Sequence, residues 1–206
     1  MISLRLPAKT GYDEVAIGDN HTYRRIATCL ILQEEIDRMP DETDSDKENL
    51  KDAIIELIKQ YCMDNIYKGF DDDCKGEMLH YSLSDVHQKD MENIMVVIAD
   101  KEEKGDTIYW RDSSRVMYED YTVEEFKKLY TDAKIYKTIN KLYSDGLEQV
   151  VLNAFKNDDV DAMREVRWGY ELPADVSAEV DKQVTTIEDI SAEELAAYKE
   201  ARDIEI

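Results

Sequence analysis

The sequence predicts an α+β protein, predominantly helical, in which a small hairpin packs with the helices. Three observations predict it. From Thr122 to Phe155 one amphipathic pattern runs unbroken: Phe126, Leu129, Tyr130, Ala133, Tyr136, Ile139, Leu142, Tyr143, Leu147, Val150, Val151 and Ala154 recur at spacings of three and four, which lines one helical face. Capping boxes stand ahead of helical patterns at Ser45-Asp-Lys-Glu48 and Thr122-Val-Glu-Glu125, and Ser191-Ala-Glu-Glu194 caps a last one. The runs rich in β-branched and aromatic residues are short and end in turn residues, which suits small hairpins and no large sheet.

In chain order, Ile2-Ser-Leu-Arg-Leu6 and Glu14-Val-Ala-Ile17 read as a terminal hairpin broken by Pro7 and Gly11. Thr22 to Met39 fits a helix closed by Pro40, although Ala27 to Leu32 also suits a buried strand. After an acidic connector, Leu50, Ile54, Leu57, Ile58, Tyr61 and Ile66 mark a second helix, Asp46 to about Tyr67. Gly69 and Asp71-Asp-Asp73 end it and suggest an internal boundary. Met78 to Leu83 then reads as a strand, and Ser84 caps a helix with Met91, Ile94, Met95 and Ile98 on its face, stopped by Gly105. Thr107 to Arg111 and Val116 to Tyr118, joined by Asp112-Ser-Ser114, read as a hairpin that leads into the long helix at about 123–155. That helix, about 50 Å long at 1.5 Å per residue, needs a partner surface from its own chain or another subunit. Beyond it, Val176, Val180 and Val184 suggest a short helix, followed by one holding Leu195 and Tyr198. Three regions result: an N-terminal helical region 1–70, a strand-helix-hairpin-helix domain 77–156, and an acidic C-terminal arm 157–206.

With 206 residues, 43% of them hydrophobic, the chain can bury a real core, while 36% charged residues favour solubility. Its longest apolar runs are four or five residues, far below the roughly 20 that span a bilayer, so no membrane partner is expected. No secretory h-region opens the sequence, and three irregularly spaced cysteines do not suggest a disulfide framework, so a cytoplasmic setting is expected. The net charge of −22 repels phosphate backbones, which argues against direct nucleic-acid binding. From Lys156 onward, 15 acids face 6 bases, a net of −9 in 51 residues. Such a run serves as a solvated face, a docking surface for a basic partner, or a nucleic-acid decoy.

The order of elements carries a resemblance. The stretch "LHYSLSDVHQKDMENI", a strand running into a helix, then "IYWRDSSRVMYEDYTVEEFKKLY", a hairpin before a threonine-capped helix, and the Tyr136-Lys137 pair resemble an uncharacterised domain found in proteins encoded among bacteriophage tail and tail-fibre genes. The match spans about Glu77 to Ala154. The resemblance implies a structural or assembly role in tail, baseplate or tail fibres. It carries over no catalytic residue, because that family has no established activity.

Candidate chemistry is thin. His21, His80 and His87 stand in no nucleophile motif, and there is no phosphate-binding glycine loop. Cys62, Cys74, His80 and His87 are separated by 12, 6 and 7 residues, without the close pairs of a structural zinc site. Asp71, Asp73 and Gly76 imitate a calcium loop, but Lys75 and Ser82 fall where oxygen-rich coordination needs acids. Glu124 and Glu125 read as a solvated helix start. No catalytic, cofactor-binding or metal site is expected. Tyr130, Tyr136 and Tyr143 on the long helix are candidates for core packing or for a partner interface. Trp168, Tyr170 and Leu172 alternate in a segment suited to clamping onto the main domain or onto a partner. The expected function is therefore a non-enzymatic phage component in the virion, assembled in the host cytoplasm, with other phage structural proteins as partners and self-association as an option. The alternative is an acidic decoy that blocks a host nucleic-acid-binding protein.

Overall fold

The computed structural model describes residues 33–201, so the N-terminal hairpin and most of the Thr22–Met39 helix lie outside the described residues. A helical segment α1 covers residues 33–37. It is followed by α2 (Asp44–Lys68), β1 (Phe70–Asp72), β2 (Leu79–Tyr81), α3 (Asp85–Val96), α4 (Ile98–Lys104), β3 (Ile108–Trp110) and β4 (Glu119–Tyr121). Then come α5 (Val123–Lys156), α6 (Val160–Glu165), α7 (Ala174–Glu188) and α8 (Ala192–Ala201). Helices hold 67% of the described residues, and the strands form two separate antiparallel hairpins, so the molecule is a predominantly helical α+β fold.

The helix starts follow their side chains. At α5 the Thr122 N–H donates to Glu125 Oε2 at 2.7 Å and Glu125 N–H to Thr122 Oγ1 at 3.2 Å, a reciprocal capping box. Ser191 and Glu194 close the same pair of bonds at 2.7 and 3.1 Å. At α2 the box lies two residues before the expected one: Thr43 and Asp46 exchange the bonds, not Ser45 and Glu48. Ser84 caps α3, as its position predicts, accepting from His87 N–H. The single helix expected from Ser84 to Gly105 is broken at Val97, with φ −107° and ψ 9°. Val96, Val97 and Ile98 are three successive β-branched residues with restricted χ1. The break buries Ile98 and leaves Val96 84% exposed.

The expected boundary at Gly69–Asp73 is instead a strand. Gly69 has φ +92°, and a Cβ there would meet the Tyr81 carbonyl oxygen at 2.0 Å, so only glycine admits the close pairing of Phe70 with Tyr81. Asp72 ends fully buried and accepts the Cys74 N–H at 2.8 Å. In the second hairpin β3 falls as expected, but its partner is Glu119–Tyr121 and not Val116–Tyr118.

Two compact units emerge, and they interleave the chain. Among the described residues one draws on 33–64 and 141–180, the other on 65–140 and 181–201, so neither follows the consecutive regions 1–70, 77–156 and 157–206. In the first unit, Leu50, Ile54, Leu57 and Ile58 of α2 share a core with Tyr143, Leu147, Val151 and Ala154 of α5 and with Met163 and Val166. In the second, Phe70 stacks on Tyr136 with ring centroids 5.4 Å apart, and Trp110 meets Phe126 edge-on at 5.5 Å. Residues 157–201, expected as an acidic arm with short helices, carry α6, α7 and α8 and make contacts within each unit. Arg164 donates to the Ile36 and Met39 carbonyls at 2.8 and 2.7 Å in the first unit, while Glu188 pairs with Lys134 at 3.2 Å in the second. Buried Val184 and Leu195 give α7 and α8 apolar anchors.

Candidate functional site

Of the residues expected to face a partner, most hold the core together. Tyr136 is 6% exposed, and its hydroxyl donates to the Asn65 carbonyl at 3.0 Å. Tyr143 is fully buried: its hydroxyl donates to the Tyr170 carbonyl at 2.8 Å and accepts the Gly169 N–H at 3.1 Å, and burial pushes its pKa up to about 12. Trp168 packs edge-on against it at 5.0 Å. The clamp at Trp168, Tyr170 and Leu172 thus closes on the chain's own core, where all three are half-buried. Tyr130 is half-buried as well. The interface reading of Tyr136 and Tyr143 is corrected, because a phenol with its ring and hydroxyl both engaged inside the chain leaves no surface to share.

The exposed apolar side chains lie elsewhere. Among the described residues ten large hydrophobic side chains are exposed, and eight of them fall between residues 78 and 118: Met78, Val86, Val96, Val97, Tyr109, Val116, Met117 and Tyr118. The β3–β4 ribbon explains the densest part. Its register pairs Ile108 with Tyr121 and Trp110 with Glu119, which sends Ile108, Trp110 and Tyr121 inward. Strand alternation then puts Tyr109 on the outer face, 67% exposed, with Tyr118 diagonal to it at 59%. The Arg111 guanidinium lies 5.2 Å from the Tyr118 ring centroid and donates to the Val116 carbonyl at 2.8 Å, so it braces this outer face.

The loop between the strands is held by a dense set of polar contacts. Asp112, 2% exposed, accepts the Ser114 N–H at 2.8 Å and the Ser114 hydroxyl, and pairs with Arg115 Nε at 2.8 Å. Burial pulls the Asp112 carboxyl upward, but the Ser114 hydrogen bonds and the Arg115 charge outweigh it and hold the carboxyl below its usual range. Arg115 also reaches Glu77 at 3.2 Å and Glu119. Ser113 N–H donates to the His80 carbonyl at 2.7 Å, and Ser113 Oγ accepts the Ser82 N–H at 2.8 Å, which ties the loop to β2. A cleft of about 320 Å³ lies under this loop, with Tyr81, His87, Trp110 and Val116 in its lining.

Histidine, aspartate and serine therefore share one cleft, but they are not wired for nucleophilic catalysis. Asp112 is engaged with Ser114 and Arg115, while His87 Nδ1 is buried with no hydrogen-bond partner, so no carboxylate orients the imidazole. His80 braces the first hairpin, with Nδ1 2.7 Å from Asp71 and Nε2 2.8 Å from the Lys68 carbonyl. Cys62 and Cys74 are buried, and burial pushes both thiols up to about 11, which keeps them in the unreactive protonated form. Among the described residues no group of three or more His, Cys, Asp or Glu side chains is placed to hold a metal ion, and no helix is long and apolar enough to cross a membrane.

Sequence reasoning missed the outer face of this ribbon. Its signal was Val116-Met117-Tyr118, three apolar residues one position after the Asp112-Ser-Ser114 turn, which read as a strand because the run is aromatic and β-branched. No protein-family model, curated protein or solved structure matches the chain.

Proposed function

We propose that this chain is a non-enzymatic bacteriophage structural or assembly component, acting through protein-protein contacts in tail, baseplate or tail fibres. One observation supports the contact role above others: eight exposed large apolar side chains are concentrated in residues 78–118. Exposed apolar side chains mark contact sites where they lie together, and four of the eight, Tyr109, Val116, Met117 and Tyr118, lie within the one β3–β4 hairpin. The same stretch carries the resemblance to the tail-associated domain. In this reading the partners are other phage structural proteins, and the chain is assembled in the host cytoplasm and carried in the virion.

The decoy alternative draws less support, because three of the 15 acids of the C-terminal region pair with lysines of the same chain. Asp158 pairs with Lys47 at 2.5 Å, Glu188 with Lys134 at 3.2 Å, and Asp181 with Lys199. Deletion of the gene from a phage that encodes the chain tests the proposal, with density-banded particles analysed by electron microscopy and mass spectrometry. The expected result is defective tails, with the wild-type chain present in particles or in tail intermediates. Normal infectious particles from the deletion strain would overturn it.

A further inference from the structure

The outer face of the β3–β4 ribbon has a composition that selects its occupant. Tyr109, Val116, Met117 and Tyr118 expose apolar surface, and Arg111 is stacked beneath Tyr118. Aromatic residues, methionine and arginine are the types enriched at the centres of protein interfaces. The cleft under the 111–116 loop shares Arg111 and Val116 with this region and also has inward-facing Trp110 and Tyr81 in its lining. At about 320 Å³ it lies at the small end of ligand sites, a size for an anchoring side chain more than for a large cofactor.

The segment that carries the ribbon is acidic in sequence. Between residues 71 and 125 there are 16 acids and 6 bases, a net of −10 in 55 residues, against −22 over all 206. Asp106, Asp120 and Glu77 are exposed on or next to the ribbon. Apposing this face to its own copy would bring two such acidic fields together, at a cost set by like-charge juxtaposition. The same field disfavours nucleic acid and anionic lipid. A cationic protein surface, by contrast, gains both apolar burial at the centre and steering at the rim.

Resting on the contact role proposed above, we propose that the outer face of the β3–β4 hairpin and its adjoining cleft dock a heterologous protein segment that presents an aromatic or aliphatic anchor flanked by lysine or arginine. The hairpin supplies the apolar centre, and the acids around it reject a second copy.

A random peptide library displayed on yeast, sorted against the purified full chain, tests this. The enriched peptides are expected to share an apolar anchor with lysine or arginine on either side. They should bind the triple variant Y109S/M117S/Y118S at least about tenfold more weakly, the loss of roughly one interface hot spot. Far-UV circular dichroism checks that the triple variant is folded, and M117S alone, at the most exposed position of the three, gives a partial loss in the same direction. Four outcomes overturn the proposal: no enrichment, enriched peptides without basic residues, basic peptides without an anchor that bind the triple variant equally, or a dimer of the chain in sedimentation that Y109S/M117S/Y118S abolishes. Each concerns the occupant alone, so the particle experiment above can succeed while this one fails.

Discussion

The long helix α5 and the ribbon-bearing segment 78–118 divide the apolar surface of this protein in opposite ways. On α5, Phe126, Leu129, Ile139, Tyr143, Leu147 and Val151 are all fully buried, whereas segment 78–118 leaves eight large apolar side chains in solvent. Length and amphipathicity therefore did not mark the apolar surface that stays exposed. A helix presents one apolar stripe, and in each unit other parts of the same chain cover it: α2 and Trp168 in one, Phe70 of β1 in the other. A two-stranded ribbon with one face on the core leaves its other face to solvent, so apolar side chains placed there are exposed.

The sharpest way to break this comparison is to truncate both regions and measure urea unfolding. Leu129→Ala in one unit and Leu147→Ala in the other should each cost about 2–5 kcal/mol, the range for removing a fully buried leucine side chain. A loss below about 1 kcal/mol at either site would mean that the helix is not covered as described.

Next in size is Asp112→Asn, which weakens the Ser114 and Arg115 contacts of a buried carboxylate and should cost about 2 kcal/mol at neutral pH. The pH dependence has a definite sign. Since the folded-state pKa of Asp112 is depressed, its contribution is fully present above the ordinary aspartate value of about 3.9 and fades as pH falls below it. Wild type and Asp112→Asn should thus differ by a constant amount from pH 5 to 7 and converge at lower pH. A gap that widens on acidification would reverse the assignment.

Gly146 supplies a smaller effect. It sits inside α5, where alanine gains about 1 kcal/mol in helix propensity, but a Cβ there would meet Leu172 Cδ1 at 3.0 Å and Val180 Cγ2 at 3.2 Å. The two contributions offset, and Gly146→Ala should leave stability within about 1 kcal/mol of wild type, whereas Gly146→Val should be clearly destabilising through overpacking. If valine is tolerated as well as alanine, the close approach of Leu172 is not what keeps the glycine.

The smallest effect belongs to the ribbon. Met117→Ser at a 76% exposed position should change stability by no more than about 0.5 kcal/mol, because little burial is lost. A stability loss above 1.5 kcal/mol in thermal unfolding would show that this side chain belongs to the core.

Much of the fold was legible because its signals are local. The phase from Phe126 to Ala154 repeats every 3.6 residues, and the Thr122–Glu125 and Ser191–Glu194 boxes close within four residues. Where two local signals overlap, sequence could not choose: Thr43 and Asp46 win over Ser45 and Glu48 within one helical turn. Strand register was harder still. Tyr118 and Tyr121 are both aromatic and three residues apart, and only the pairing of Tyr121 with buried Ile108 decides which one turns inward.

By itself the sequence determined that helices dominate, where the long one starts and stops, and that the strands are short, since each follows from contacts among residues close in the chain. Only the tertiary structure decided that Tyr136, Tyr143 and Trp168 belong to cores, and that the open apolar face lies on the β3–β4 ribbon. An amphipathic pattern says that a face must be covered and is silent on what covers it. That depends on contacts such as Tyr143 with Tyr170 and Phe70 with Tyr136, made between residues far apart in sequence.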